Sequence, residues 1–257
     1  MKKVFAFFFT LAVCQWSIAQ EEKPDSLGLP GDNLSLFGVL ELFKKAENIE
    51  DFEKKLNAED SSVNNLDLDR NGEVDYIIVN DKSEGDSHAL MLSVEIAEGD
   101  FKDIACVALE KKANDDAAIQ VIGDEDYYGK DYYVEPSDEM KQGGKGISMA
   151  LGVYVNVWVW PCVRYVYHPA YVVWVSPWSW RARPFWWHPW HHWGWNRWYP
   201  VAHRHVTLHV RTRTCHVTRA NNVYVSHRQV RAKSRPTVVR NNERSNSKQG
   251  EVNRDGS

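Results

Sequence analysis

The chain has 257 residues, a formal net charge of −4 and 43% apolar residues, enough for one large or two small packed domains. Residues 21–145 carry 32 acidic and 13 basic side chains, whereas residues 146–257 carry 3 and 16, together with eleven of the twelve Trp and nine of the ten His. This asymmetry excludes a uniform single-domain enzyme, and the absence of any apolar run of about 18 residues excludes a polytopic membrane protein.

Residues 1–19 read as a secretory signal peptide. Lys2 and Lys3 precede the apolar run Val4–Val13, and Ser17-Ile18-Ala19 offers small residues for cleavage. The expected location is secreted, periplasmic or in the cell envelope. Cleavage removes Cys14 and leaves Cys106, Cys162 and Cys215, an odd set that argues against a disulfide framework but leaves one Cys162–Cys215 bond open.

Residues 20–33 are polar with Pro and Gly and read as a linker. From Leu34 to Asn57 the apolar residues Leu36, Val39, Leu40, Phe43, Ile49, Phe52 and Leu56 recur at helical spacing, with a break near Glu47-Asn48. After Ser62 the period changes to two, over Val74–Val79, Ala89–Ile96, Asp103–Lys111 and Ala117–Ile122. Their short polar connections favour antiparallel neighbours. Residues 34–141 are therefore expected to form an acidic α+β domain, an N-terminal helix packed on a four-stranded antiparallel meander.

The sharpest motif is Asn65-Leu66-Asp67-Leu68-Asp69-Arg70-Asn71-Gly72-Glu73-Val74-Asp75. Alternation lets Asp67, Asp69 and Asn71 aim oxygens at one point, and Gly72 permits the turn. Glu73 can add its carbonyl and Asp75 its carboxylate. Hard oxygens on a flexible loop suit Ca²⁺. The loop resembles an EF-hand over its first nine positions, but Ile78 stands where an EF-hand has a bidentate Glu, and a β-type run follows. It is more similar to the calcium loops of dockerins and of FG-GAP repeats in integrin α propellers. The resemblance implies calcium, and without the twelfth ligand it is expected to be held weakly, with Kd on the order of 10⁻⁴ M. The other reading is a metal-free Asx-rich turn. A second acidic cluster, Asp124-Glu125-Asp126 with Asp131 and Glu135, reads as a solvated turn, as a group that completes the ion site or holds another ion, or as the carboxylate pair of a secreted hydrolase, whose separation sequence spacing does not fix.

Residues 142–150 form a Gly-rich joint. Residues 151–225 are expected to be a β-rich, Trp-dense segment. Val153, Val155, Val157 and Val159 alternate with Tyr154, Asn156, Trp158 and Trp160, and Val163–Tyr167, Tyr171–Val175 and His203–His216 repeat the pattern. Between Ser176 and Pro200 the recurring prolines predict an irregular wrap. Its Trp rings form either a contact surface or a mini-core. His188, His191, His192, His203 and His205 have spacing that suits a transition metal, but no carboxylate lies among them to orient the rings. Residues 226–257 read as a disordered basic tail.

A basic end normally suggests nucleic acid, which export argues against. The expected partners are an anionic envelope polymer, a membrane surface or another protein, with an intramolecular acidic–basic contact as a further option. The layout resembles secreted envelope proteins of Bacteroidota, which implies location and no activity. No nucleophile elbow, zinc-protease motif, phosphate loop or dinucleotide fingerprint is present. The leading expectation is a non-catalytic secreted or envelope protein with a calcium-binding loop and an aromatic-basic binding surface.

Overall fold

The computed structural model describes residues 26–137, 154–204 and 209–228. The signal peptide, the Gly-rich joint and the tail beyond 228 lie outside the described residues. The fold is mixed α+β. The apolar helical run divides into α1 (Leu36–Lys45) and α2 (Ile49–Leu56). The break arises because Asn48 caps α2, its side chain accepting from Asp51 N–H at 2.8 Å, while Asp51 reaches back to Glu47 N–H at 3.0 Å.

The period-two runs form β1 (Ile77–Glu84), β2 (Ser87–Ala97), β3 (Asp100–Ala113) and β4 (Asp116–Gly123) as an antiparallel meander. The sheet does not stop at four strands. After the short helix α3 (Glu125–Tyr128), β5 (Tyr133–Pro136) pairs with β4, and β6 (His209–Thr212) pairs with β5, giving six antiparallel strands in sequence order. Leu90, Leu92, Val94, Val107, Leu109, Ile119 and Val121 pack against α1 and α2. Ala89, Met91, Cys106, Ala108 and Ala118 pack on Ala220, Val223 and Tyr224 of α6 (Thr218–His227), so both faces of the sheet are covered.

The later part of the chain departs from the β-rich expectation. Val163–Tyr167 is not a strand: Pro161 opens helix α4 (Pro161–Val166), whose Cys162, Val163 and Val166 enter the first core. Residues 154–160 are not a strand either. Asn156 clips the β3–β4 turn, accepting from Ala117 N–H at 3.1 Å and donating to Asp115 O at 2.9 Å. Tyr171–Val175 bonds to the β1 edge, where Asp81 N–H donates to Trp174 O at 2.9 Å and Asn80 bridges Val175, and Tyr171 packs edge-on against His88 of β2. Helix α5 (Trp195–Ala202) tolerates Pro200 in its last turn, and among the described residues of the predicted 203–216 strand four form β6. Ser226 and His227 belong to α6 rather than to a tail. In the predicted linker, Pro30–Asn33 forms a 3₁₀ turn whose Gly31 lies so close to Tyr127 that a Cβ would fall 2.4 Å from its carbonyl oxygen.

A calcium-type loop and an aromatic cleft

The loop between α2 and β1 is held at its stem by Asn64, which donates to Asp75 O at 2.8 Å, and by Asp75 N–H, which donates to Leu66 O at 2.7 Å. At its tip Asp67 accepts from the N–H groups of Asn71 and Gly72, both at 3.0 Å, and Asp69 accepts from Asn71 N–H at 3.1 Å. Arg70 and Gly72 turn the chain with φ of 63° and 89°. Asp75 is largely buried and accepts from Leu68 N–H at 2.6 Å. Burial raises its carboxyl pKa to about 7, the Leu68 N–H works against this, and the charges of Asp69 and Asp67 add to the rise.

The structure thus gathers Asp67, Asp69, Asn71 and Asp75 in one turn, while Glu73 forms a backbone bridge with His191. The carboxylates point at the loop's own N–H groups. Among the described residues no three His, Cys, Asp or Glu side chains stand in metal-holding geometry. A cation would have to take over oxygens now occupied by Asn71 and Gly72.

The loop is joined to the aromatic segment. Val74 N–H donates to Trp190 O at 2.8 Å, and His192 N–H to Gly72 O at 3.0 Å. Asn65 exchanges two hydrogen bonds with the Trp193 backbone, at 2.8 and 2.9 Å. Between them opens a cleft of about 210 Å³, walled by Asp69, Asn71, Glu73 and Asp75 on the loop and by Trp180, Arg183 and Trp187 on the aromatic side. The Arg183 guanidinium lies over Tyr76 at 5.2 Å and Trp187 at 5.9 Å. Trp187 also borders a second cleft of about 260 Å³, with Lys54, Asn57, Glu59, Trp186, His188 and Trp190.

Buried carboxylates fasten the aromatic segment to the sheet and helices. Glu53 accepts from Tyr76 OH at 3.1 Å, Ser176 OH at 2.7 Å and Trp174 Nε1 at 3.2 Å. Burial raises its pKa to about 7 against the pull of these donors. Asp81 meets His88 Nδ1 at 2.7 Å and Tyr171 OH at 2.8 Å. Glu95 accepts from Trp180 N–H, and from Gly99 N–H at 2.8 Å. Most of these donors are neutral, so the acidic half meets the later half through directional hydrogen bonds more than through charge pairs. The exposed Arg181–Glu98 pair is of the latter kind.

Sequence reasoning missed Glu53. The sign was there: Glu53 follows Ile49 by four and precedes Leu56 by three, on the apolar stripe of α2.

The second acidic cluster is occupied structurally. Asp124 caps α3 and accepts from Tyr224 OH at 2.7 Å, and Glu135 meets His216 Nδ1 at 2.7 Å and Gln120 Nε2 at 2.8 Å. His188, His191, His192 and His203 do not converge: His192 bonds Asn65 O, and His203 stacks on Tyr199 at 4.0 Å. His205 lies outside the described residues.

The Trp rings divide between the two expectations. Trp160 and Trp198 are buried, Trp180 is 40% exposed, and the other eight of the cluster are half-buried. Cys162 and Cys215 are free and pack on opposite faces of the sheet, so the open pairing is not formed. No described helix is long and apolar enough to cross a membrane. No known family model, curated protein or solved structure matches the chain, so the arrangement of loop and cleft carries the functional reading.

Proposed function

We propose that this is a non-catalytic secreted or envelope protein that binds an envelope polymer, lipid surface or partner protein through its aromatic segment, with Ca²⁺ stiffening the loop beneath it. The single observation that carries this reading is the shared cleft. Loop residues Asp69, Asn71, Glu73 and Asp75 form one wall and Trp180, Arg183 and Trp187 the other, with the two walls tied by backbone hydrogen bonds. Burial, and after it the charges of Asp69 and Asp67, raises the Asp75 pKa, so a cation among the three carboxylates competes with a proton there and binds more strongly as pH rises through about 7.

Two measurements test the reading. Purified mature protein is retained on at least one of immobilised peptidoglycan, lipopolysaccharide or polysaccharide at physiological salt, and passage through all of them removes the proposal. Ca²⁺ raises the melting temperature of the full mature chain, by the equivalent of about 2.7 kcal/mol at a hundredfold excess over Kd. Asp67→Ala or Asp69→Ala abolishes most of that gain. A gain surviving both places the ion elsewhere.

A further inference from the structure

We infer that the two clefts bordered by Trp187 form one groove for a neutral, hydroxyl-rich glycan chain at least two rings long. The inference rests on the binding-protein reading above and narrows it to one ligand class.

Size comes first. Volumes of about 210 and 260 Å³ both fall short of the roughly 300–1,000 Å³ of pockets that enclose a drug-sized molecule, so each cleft suits a single ring. Because Trp187 belongs to both, the two positions are contiguous, as successive units of a chain require.

Chemistry selects the unit. A sugar ring has an apolar C–H face and a rim of hydroxyls, so it needs an aromatic platform beside paired donors and acceptors. The first cleft offers Trp180 and Trp187 beside Asp75, Asn71 and Arg183, and the second offers Trp186 and Trp190 beside Lys54 and Glu59. Arg183 Nη1 and Trp187 Nε1, both in residues that line the first cleft, are buried without a protein acceptor, so its wall holds unsatisfied donors just beneath the surface.

In the first cleft, charge disfavours the polyanion expected from composition. Asp69, Glu73 and Asp75 line the first cleft, where they repel phosphate or sulfate groups, and Arg183 is the cation there. A partner protein is also disfavoured, because apolar exposure concentrates elsewhere, at Val172 (80%) and Val175 (65%), which line neither cleft.

The platform is fixed in advance. Glu95 holds the Trp180 backbone N–H, and Ser179 and Ala182 exchange two hydrogen bonds of 3.1 Å that close the turn carrying Trp180. Replacing the Trp180 side chain leaves those bonds intact.

Calorimetric titration of the full mature chain with unbranched neutral hexasaccharides of β-linked glucose and β-linked N-acetylglucosamine, with the matching single sugars and with dextran sulfate, decides the matter. The expected result is a neutral hexasaccharide bound at least about tenfold more tightly than its monomer. Trp180→Ala weakens that binding about tenfold with an unchanged melting temperature, and Trp180→Phe restores part of it. Phe185→Ala, at a residue 92% exposed that lines neither cleft, leaves it unaltered. Binding of dextran sulfate alone overturns the glycan inference while leaving the broader proposal standing. Equal affinity for hexamer and monomer, or full affinity in Trp180→Ala, overturns it too.

Discussion

The two faces of the sheet are covered by different means. On the first, Leu90, Leu92, Val107, Leu109 and Ile119 meet Leu40, Phe43 and Phe52, and large side chains fill the space. On the second, Ala89, Cys106, Ala108 and Ala118 bring α6 close but bury little area per residue. There polar braces supply what volume does not. The Glu110 carboxylate accepts from Ala220 N–H at 3.1 Å and from Arg219 N–H, closing the N-terminus of a helix that has no side-chain cap of its own. Burial pushes Glu110 up, yet Lys112 and these N–H groups hold it below the usual carboxylate range. Tyr224 OH and Arg228 reach Asp124 at the other end, at 2.7 and 3.3 Å. One face is specified by size and the other by direction.

This contrast sets an order of expected effects. Phe52→Ala, in the volume-filled face, should cost about 3–5 kcal/mol in denaturant unfolding. A loss under about 1 kcal/mol would show that the first face is not held by packing. Glu53 comes next. Its folded pKa of about 7 lies above the ordinary 4.5, so the folded state favours the protonated form. Its contribution is greatest below pH 4.5 and declines as pH rises to about 7, by on the order of 3 kcal/mol. Asp75 acts in the same sense from 3.8, and calcium should cancel that part. Glu53→Gln should flatten the stability–pH curve over this interval, and an unchanged curve would place the titration elsewhere. The smallest effect concerns the second face. Ala108→Leu should cost about 1–3 kcal/mol by lifting α6. Trypsin cleavage after Arg219 should accelerate while sheet circular dichroism is kept. Undiminished protection would mean that the braces, not close approach, decide where α6 sits.

Legibility follows the same divide. The first face was readable because large apolar residues at helical and period-two spacing report burial directly, down to the break at Asn48. The loop was readable as an Asx-rich turn from Asp67, Asp69 and Asn71, although spacing could not say that their oxygens would face the loop's own N–H groups. The cleft was not readable, since it joins Asp75 to Trp180 and Arg183 more than a hundred positions apart. Helix α6 was also missed, although Val217, Ala220, Val223 and Tyr224 share one helical face; they are too few and too small to outweigh the basic surroundings. The alternating valines of 153–159 misled for another reason. Alternation marks a half-buried ribbon, but Asn156 and Val157 spend their polar groups on Asp115 and Ala117 at the β3–β4 turn, where no ladder runs.

The position of β6 bears on the order in which the molecule assembles. Tyr133 pairs with Thr212, so the last ladder closes only after the whole aromatic segment has been made. In a chain synthesised from its N-terminus, β1 to β4 can zip through short turns, while the open side of β5 and the alanine-lined face wait for residues beyond 208. Until then the nascent protein presents an unpaired ladder and an uncovered sheet surface, both templates for self-association. Chains interrupted before β6 should therefore aggregate rather than accumulate as a smaller soluble domain.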